Sequence, residues 1–568
     1  MIGLPGLMSM LLAAAGIVFL LPRRTLAANP FLPLWERIPD GEPRVYVDPE
    51  TGQKRLYVYG SHDSRTTKGY CGPDHVVWSA PLGNLTNWRH EGTAFHINRL
   101  QGVEYVDRDG LTKKLTVDAE KTALWAPDVV YHPENKKYYM YLFVAEMWNV
   151  NPDPIDGSSR IRHPMFVASS DHPAGPFEDP KFVYFAFDPA VLVDDVKNEQ
   201  GKSRVYLYFT PQESRNLYAC ELDPDDMATI IPGSMHYPFT RTDQAPQNTM
   251  PDWTPPFHVF EGASIRKVRG VYLLAYCRAV RTNQTAREGF SQIGWAYSDN
   301  PFGDPAFGSR WTYGGVVVDN RGEIVVDPYT GELTFSYTGG NDHGGMVDVD
   351  GRWYQVYHRA TNFGLKRQAM AEAFDLRFEN GKPVIDQVEV TSQGFETEGL
   401  DPFKEHYAAC ACFTLPVGPE MGPRFFTQHS DEAPNFDPEA EREDWYPVLN
   451  LCSRSWLGYK YFNFGAGLAA GQTLKLVLTL KESLPGRVNI YTSEAKAKYA
   501  EPEKPKRLMG SIELEGTNSE LHTVEGIVET AGLTGKQGIY LEFLSEIEDR
   551  EICQLNKLQF VVGSEDFC

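Results

Sequence analysis

Cysteine is scarce in this sequence, and the cysteines that are present form no recognisable metal-binding or redox pattern. The chain has eight cysteines among 568 residues, and no two of them stand in a Cys-x-x-Cys pair. A zinc ribbon or a thioredoxin-like site needs such closely spaced pairs, and a disulfide scaffold needs a much higher cysteine content. All three classes of protein are therefore disfavoured.

Long apolar stretches are also absent after residue 22. Residues 2–22 are almost wholly apolar, and the small residues around Thr25–Ala28 resemble a cleavage site. This pattern predicts a signal peptide over residues 1–28 and a secreted or extracytoplasmic protein. No Lys or Arg precedes the apolar run, so two alternatives remain: a mis-called start codon, with a cytoplasmic protein, or a signal anchor of unusual orientation.

Basic residues are outnumbered by acidic ones. The chain has 54 Lys and Arg against 76 Asp and Glu, which gives a formal net charge of −22 at pH 7. A strongly acidic surface repels phosphates of nucleic acids and anionic lipid headgroups. We therefore expect no nucleic-acid partner, and no membrane partner beyond the N-terminal segment.

Aromatic and turn-forming residues are abundant, and many of them follow a repeat. The sequence contains 29 Tyr, 31 Phe, 49 Gly and 40 Pro. In five places an acidic or His-containing turn precedes a short apolar strand, a charged or Gly turn and a Tyr-rich strand. These copies begin at Asp40, Asp128, Asp188, Glu261 and His343. Further strand signals between the copies give about four strands per unit, which predicts an all-β fold with a five-bladed β-propeller over residues 29–395.

The first residues of the five copies are four carboxyl groups and one imidazole. In a propeller the innermost strand of each blade lines the central channel, so equivalent positions of the five copies converge there. Turn-forming Asp residues are common on solvated surfaces, which is the plainer explanation for any single one of them. Titratable groups brought together in a channel are candidates for a functional site.

The composition and the strand pattern of the sequence change after residue 395. Residues 396–444 are irregular and rich in acidic residues, which predicts a linker. Short alternating strands return over residues 445–568, and their spacing predicts a β-sandwich of the jelly-roll type.

Several motifs in the repeat region resemble glycoside hydrolase family 43. The resemblance rests on IPDGEP, LYVYGSHD, LWAPDVVY, DPAVLVDD, FEGASIRK, NDHGGMVDVDG and KRQAMAE, which occur in the blade order of that family. It implies a five-bladed propeller and an inverting glycosidase, such as an α-L-arabinofuranosidase, a β-xylosidase or an arabinanase. The tail is similar to family 6 carbohydrate-binding modules.

The resemblance also implies roles for individual residues. Asp40 matches the general base, Glu261 the general acid, and Asp188 the carboxylate that tunes the pKa of the acid. Arg367 matches an arginine that contacts the substrate near the tuning carboxylate, and its pairing with Asp188 is expected. Asp128 matches a position near the site, where it would bind substrate or serve a structural role.

His343 matches a channel histidine, and the resemblance implies a calcium or sodium ion, or its water, beside it. No cofactor is expected to be required. The indoles of Trp35 and Trp125 flank two of the motifs and are candidate platforms for a sugar ring, while core packing is their alternative role.

The sequence therefore predicts an inverting hydrolase that removes terminal α-L-arabinofuranosyl or β-D-xylosyl groups from plant polysaccharides or oligosaccharides. Inversion needs one protonated carboxyl group and one ionised carboxylate on opposite faces of the bond. A non-catalytic carbohydrate-binding propeller is the alternative, and a purely structural scaffold is a third possibility. The sugar, the linkage and the choice between exo and endo cleavage are left open by the sequence.

Overall fold

The computed structural model describes most of the chain, and all of its long regular elements are strands. The described residues are 28–63, 70–107, 109–118, 121–146, 163–211, 217–238, 257–280, 289–303, 311–337, 339–361, 366–416, 424–425, 445–469, 472–502 and 504–564. The predicted signal peptide, except Ala28, lies outside them. No helix in these ranges is long and apolar enough to cross a membrane.

Five antiparallel sheets of three or four strands succeed one another along the first two thirds of the chain. The first sheet contains β1 (Glu42–Val47), β2 (Lys54–Tyr59), β3 (Asp74–Pro81) and β4 (Arg89–His96). A hairpin follows, made of β5 (Glu104–Val106) and β6 (Thr112–Lys114). The second sheet contains β7 (Thr122–His132), β8 (Lys137–Glu146), β9 (Pro164–Ser170) and β10 (Glu178–Phe185). The third sheet contains β11 (Phe187–Lys197), β12 (Ser203–Thr210) and β13 (Tyr218–Leu222).

The remaining two of these sheets are separated by a second small hairpin. The fourth sheet contains β14 (Val259–Val268), β15 (Val271–Val280), β16 (Gly289–Ser298) and β17 (Thr312–Asp319). The hairpin is formed by β18 (Ile324–Val326) and β19 (Leu333–Phe335). The fifth sheet contains β20 (Met346–Val349), β21 (Arg352–Thr361) and β22 (Lys366–Phe374), and a hairpin of β23 (Arg377–Glu379) and β24 (Lys382–Val384) follows.

The Tyr-rich segments of the repeat are the second strands of the sheets. Each second strand pairs with a neighbour on both sides, so β2 and β12 are buried on both faces almost throughout. Tyr57, Tyr59 and Tyr208 are fully buried there. Aromatic and β-branched residues suit such strands because they pack well on a pleated surface.

Successive sheets pack face to face, and the order returns to the first sheet. Separate apolar cores lie between sheets one and two, two and three, three and four, and four and five. Leu56 and Val58 of the first sheet share a further core with Val356 and Ala371 of the fifth. The first strands β1, β7, β11, β14 and β20 likewise contact one another in that cyclic order. The starts of these five strands are therefore neighbours in space.

Eleven more strands form two larger sheets. They are β25 (His406–Tyr407), β26 (Phe413–Leu415), β27 (Arg424–Phe425), β28 (Val448–Leu451), β29 (Ser455–Asn463), β30 (Gln472–Glu482), β31 (Gly486–Glu494), β32 (Arg507–Leu514), β33 (His522–Val528), β34 (Lys536–Leu544) and β35 (Cys553–Ser564). One sheet has the order β27-β28-β35-β30-β33 with β25 on β35, and the other has the order β26-β29-β34-β31-β32. Leu476 and Leu478 of the first sheet share one core with Ile490 and Leu541 of the second.

The segment predicted to be an irregular linker, 396–444, differs from that expectation where it is described. It contributes β25, β26 and β27, and a short 3-10 helix occupies Ala408–Cys410. Phe413 and Leu415 are buried, because β26 pairs with β29 at the edge of a large sheet. Most of its acidic stretch, 431–444, lies outside the described residues.

A buried charge cluster joins the two groups of sheets. Lys460 Nζ of β29 lies 3.0 Å from Glu323 Oε2 and 3.3 Å from Glu389 Oε1, two carboxylates that belong to the first group. Lys496 Nζ contacts the same two carboxylates at 2.5 and 3.3 Å. Buried charges need such partners, because an uncompensated charge in the interior is strongly destabilising.

Candidate active site

The five repeat positions singled out in the sequence lie on or just before the first strands. Asp128, Asp188 and Glu261 belong to β7, β11 and β14, while Asp40 and His343 immediately precede β1 and β20. The register of strand pairing shifts, as at a β-bulge, next to each of the three carboxylates in β7, β11 and β14. Such bulges re-aim side chains at the rims of sheets and are frequent beside active sites.

Asp40 is a buried carboxylate with a dense set of partners. Its side chain is 4% exposed, and its backbone φ is +57°, a left-handed conformation that is uncommon for a non-glycine residue. Ser61 Oγ donates to Asp40 Oδ2 at 2.6 Å, and Arg367 Nη1 donates to Oδ1 at 3.0 Å. Both oxygens are thus held in place.

The surroundings of Asp40 keep it ionised. Burial alone would raise the pKa of this carboxyl, but the Arg367 guanidinium, the imidazoles of His358 and His343 and the Ser61 hydroxyl together lower the pKa to about 2. A group with this pKa carries its negative charge throughout the neutral range. Asp40 is therefore an acceptor of protons and of hydrogen bonds, not a donor.

The structure corrects the expected partner of Arg367. Its guanidinium pairs with Asp63 and Asp40, with Nη2 at 2.9 Å from Asp63 Oδ1 and Nη1 at 3.0 Å from Asp40 Oδ1. The predicted pairing with Asp188 is wrong, because the donors of this fully buried side chain are used on the side of the first sheet.

His358, on β21, contacts the backbone of Asp40. Its Nδ1 accepts the backbone N–H of Asp40 at 3.1 Å, and its Nε2 contacts the carbonyl oxygen of Asn341. Since Nδ1 is used as an acceptor, the proton of the neutral ring lies on Nε2. Burial lowers the pKa of His358 to about 4, which agrees with a neutral imidazole at neutral pH.

Asp188, Glu261 and His343 meet around one glycine. The backbone N–H of Gly262 donates to Asp188 Oδ2 at 3.1 Å, which places this carboxylate beside the residue that follows Glu261. Gly262 has φ +68°, and a Cβ there would lie 2.9 Å from the ring of His343. Only glycine combines this backbone conformation with so close a ring.

The same region holds further acidic groups. Burial raises the pKa of the Cys277 thiol well above its usual value, and nearby Glu261, Asp342 and Asp188 carboxylates add to this effect. Asp188 is 6% exposed and Glu261 is half-buried. Two neighbouring carboxyl groups favour the protonated form of one of them, because like charges repel.

Asp128 belongs to a network of charged side chains and one backbone N–H that spans four sheets. Arg44 Nη2 lies 2.7 Å from Asp128 Oδ2, and the backbone N–H of Val191 donates to the same oxygen at 2.7 Å. Glu42 completes the network through Arg44 at 3.2 Å and Arg266 at 2.6 Å. Asp128 is fully buried and its carboxylate is well supplied with partners, which supports the structural role rather than substrate binding.

The two candidate indoles have different surroundings. Trp35 is 6% exposed and packs 5.6 Å from Trp78 in an apolar core, which favours core packing, its alternative role, over a sugar platform. Trp125 is half-buried, with its ring 6.4 Å from that of Tyr70. The ring of Tyr70 in turn lies 4.5 Å from the Arg367 guanidinium. Trp125 is therefore near the Asp40 group, which consists of Asp40 and its partners Ser61 and Arg367.

A metal ion beside His343 has no evident set of protein ligands. Among the described residues, no group of three or more His, Cys, Asp or Glu side chains could hold one. His343 Nδ1 lies 3.8 Å from Asp40 Oδ1, and burial lowers the pKa of this imidazole. The described residues around His343 therefore do not fit a directly coordinated metal.

Several residues at the site were not singled out in the sequence. Ser61, Asp63 and Tyr70 follow the second strand of the first copy, and His358 stands in the second strand of the fifth. Ser61 and Asp63 belong to the GSHD segment that ends a Tyr-rich strand, and attention to the ends of second strands could have found them. Their long-range partners have no local signal.

Comparison with known proteins gives the family. The family model described as glycosyl hydrolases family 43 matches residues 53–389, which is more than half of the chain. A xylosidase/arabinosidase from Thermoclostridium stercorarium is 30% identical over 459 residues, covering 77% of this chain and 82% of the relative. The chain therefore belongs to glycosyl hydrolase family 43. It is a glycosidase, and its substrate is a carbohydrate.

Other relatives are more distant. An arabinoxylan arabinofuranohydrolase from Paenibacillus polymyxa is 24% identical over 59% of this chain and 45% of the relative. Among solved structures, a family 43 arabinoxylan arabinofuranohydrolase from Bacillus subtilis in complex with cellotetraose covers 94% of this chain and 97% of its own, with 19% identity and a TM-score of 0.39.

Proposed function

We propose that this glycosidase removes terminal α-L-arabinofuranosyl or β-D-xylosyl groups from plant polysaccharides or oligosaccharides, with inversion at the anomeric carbon. Family membership and the activities named for its relatives support the pentosyl substrate. The observation that carries the mechanism is the state of Asp40, a buried carboxylate kept ionised by Arg367 and Ser61. An inverting enzyme needs one such carboxylate to activate water.

In this proposal Asp40 is the general base and Glu261 is the general acid. Asp40 accepts a proton from the water that attacks the anomeric carbon, while protonated Glu261 gives its proton to the leaving oxygen. Inverting glycosidases separate these two groups by about 6.5–9.5 Å, which leaves room for the water. Asp40 lies just before the first strand of sheet one and Glu261 lies on the first strand of sheet four, positions that suit opposite sides of a central site.

Asp188 is proposed to set the protonation state of Glu261. Its carboxylate is tied to Gly262 N–H, one residue from Glu261, and a negative charge there raises the pKa of the acid. Glu261 then holds its proton near neutral pH, where a general acid must be ready to donate.

We propose a five-bladed β-propeller for residues 29–395 and a β-sandwich for the tail. The cyclic contacts of the five first strands support the first, and the core shared by the two larger sheets supports the second. Glycan binding by the tail, an ion beside His343, a sugar contact of Trp125 and export of the protein stay predictions.

The experiment is hydrolysis of 4-nitrophenyl α-L-arabinofuranoside and β-D-xyloside, with the anomer of the released sugar followed by proton NMR. We expect release of a pentose whose configuration is inverted in the first product formed. Asp40→Asn should lower kcat about 100- to 10,000-fold, since it removes the general base. Retention of configuration would contradict the proposed mechanism.

The non-catalytic alternative makes a different prediction in the same experiment. A lectin-like propeller would bind arabino- or xylo-oligosaccharides, measured by calorimetry, and release no sugar from any pentoside. The chain keeps all three carboxyl groups of the proposed catalytic set, which favours the enzyme.

A further inference from the structure

Asp63 is a fully buried carboxylate that is used entirely by neighbouring donors. Arg367 donates to it three times, from its backbone N–H at 2.9 Å, from Nε at 3.1 Å and from Nη2 at 2.9 Å. The backbone N–H of Cys71 makes a fourth hydrogen bond at 2.8 Å. A paired arginine and carboxylate with two parallel contacts fixes the plane of the guanidinium.

The same short segment also reaches Asp40 directly. Ser61, two residues before Asp63, donates to Asp40 Oδ2 and accepts the backbone N–H of Ala126 at 2.8 Å. The backbone N–H of Asp63 is held by the carbonyl oxygen of Arg37 at 3.0 Å. The segment Ser61–Asp63 is therefore fixed at both ends and lies against the Asp40 group.

We propose that Asp63 is a positioning residue for the hydrolysis and acts through Arg367 on Asp40; this inference rests on the proposed role of Asp40 as the base. With Nε and Nη2 of Arg367 bound to Asp63, only Nη1 is directed at Asp40 Oδ1. Asp63 thus decides where the guanidinium presents its charge. The hydrogen bonds of its own carboxylate go to Arg367 and to the backbone N–H of Cys71, so Asp63 acts on Asp40 through the guanidinium.

A carboxylate is required at position 63 because every neighbour is a donor. In Asp63→Asn one oxygen becomes an NH₂ group, which would face an N–H of Arg367 or of Cys71. Two donors cannot form a hydrogen bond with each other, and a buried unpaired donor is costly. The guanidinium must then turn, and Nη1 leaves Asp40.

The first test is the pH profile of Asp63→Asn. Loss of the Nη1 contact raises the pKa of Asp40 from about 2. We expect kcat to fall about 10- to 100-fold with KM changed little, because the base is displaced while the sugar contacts stay. The acid limb of kcat/KM should move up toward pH ~4, the ordinary range of an Asp carboxyl.

A matched control is Asp48→Asn. Asp48 is also a fully buried carboxylate of the first sheet, and it pairs with Arg89 Nη2 at 3.2 Å in the turn between β1 and β2, away from the Asp40 group. This variant should lose stability, with kcat and the acid limb unchanged. An Asp63→Asn variant with the same outcome would assign Asp63 a structural role and overturn the proposal.

A second variant keeps the test decisive if Asp63→Asn does not fold. In Asp63→Asn/Arg367→Gln both buried charges are removed together, and the two amides can bond to each other. If Asp63 acts through Arg367, this double variant should have the kcat of Arg367→Gln alone, within about twofold, since the two residues then form one unit. A further tenfold loss would overturn the proposal.

Asp40→Asn, measured in parallel, distinguishes failure of the proposed base from failure of the positioning role of Asp63. An active Asp40→Asn enzyme would refute the role of Asp40 as the base. An inactive Asp40→Asn enzyme with a normal Asp63→Asn profile would refute only the positioning role.

Discussion

His358 Nδ1 accepts the backbone N–H of Asp40 at 3.1 Å, so a side chain of the fifth sheet sets the conformation of the residue that opens the first. Asp40 has φ +57°, which is strained for an aspartate and persists only where its surroundings hold it. The neutral ring of His358 is one of those supports, and it connects the first and fifth sheets at the proposed base.

The first prediction concerns this support. His358→Ala leaves the Asp40 N–H buried without its acceptor, which we expect to cost about 1–3 kcal/mol for the lost hydrogen bond alone. The kcat should fall as well, because Asp40 is no longer held in place. Thermal unfolding and steady-state kinetics check both effects.

The matched control is His132→Ala. His132 is also fully buried, and its Nδ1 accepts the backbone N–H of Asn135 at 3.2 Å in the second sheet. We expect a loss of stability without a loss of kcat. A His358→Ala enzyme with wild-type kcat would show that Asp40 keeps its place without the imidazole.

The second prediction concerns Glu261. In Glu261→Ala the leaving oxygen receives no proton, so substrates with poor leaving groups should lose much more activity than activated aryl glycosides. The ratio of kcat/KM for 4-nitrophenyl α-L-arabinofuranoside and arabino-oligosaccharides measures this. General acid catalysis contributes about 10²- to 10⁴-fold, which sets the scale of the difference. An equal loss on both substrates would rule Glu261 out as the acid.

The third prediction follows from a carboxyl group outside the proposed catalytic set. Glu372, on β22, is buried and accepts from Asn29 Nδ2 at 3.0 Å and from the backbone N–H of Thr391 at 2.7 Å. Burial raises the pKa of Glu372 to about 8. Because this pKa lies above the ordinary value, the folded protein binds a proton that the unfolded chain has released, and stability is lost as pH rises from about 5 to 8.

Glu372→Gln removes this titration while keeping the shape of the side chain. We expect the variant to be more stable than the wild type by a few kcal/mol, roughly 2–4, at pH 9 and to differ little at pH 5. Melting temperatures at both pH values check the sign. An equal change in stability at pH 5 and pH 9 would show that Glu372 does not titrate between them.

The fourth prediction concerns the charge cluster between the two groups of sheets. Lys460→Met leaves Glu323 and Glu389 with one cation fewer, and breaking a buried pair costs about 3–5 kcal/mol. Lys475→Met is the control, because Lys475 lies in the other large sheet and its contact with Glu525 is exposed. Exposed pairs contribute about 0–1 kcal/mol. A Lys460→Met protein as stable as this control would contradict a coupling role of the cluster.

Local pattern was enough to predict five successive sheets and the positions of the carboxylates, although the described parts of the third and fifth sheets have three strands instead of the expected four. The Tyr-rich strands are buried on both faces because they are central in their sheets. Runs of consecutive apolar and aromatic residues, such as Leu56 to Tyr59, indicate this burial in the sequence. The repeat then placed Asp40, Asp188 and Glu261 at equivalent points. Each of these predictions uses residues close together in the chain.

Pairing between distant residues could not be predicted in this way. Arg367 and Asp63 are separated by 304 positions, and no local sequence feature of either residue indicates its partner. The sequence therefore predicted a pairing of Arg367 with Asp188 instead. The choice between the two roles of Trp35 could not be made for a similar reason, since its packing depends on Trp78 of β3. The contact of Lys460 with Glu323 depends on how two groups of sheets meet.

Arg359, next to His358, donates to the carbonyl oxygen of Ala411 at 2.6 Å and also contacts that of Ala409. The backbone N–H of Thr414 reaches the carbonyl oxygen of Ser336 at 2.7 Å. A chain shortened at residue 395 would lose the two carbonyl oxygens that Arg359 contacts. It would also lose Lys460 and Lys496, which pair with Glu323 and Glu389. We therefore expect that this enzyme can be recombined only with its C-terminal sheets attached, and that exchanging these sheets between relatives requires exchanging both partners of each of these contacts.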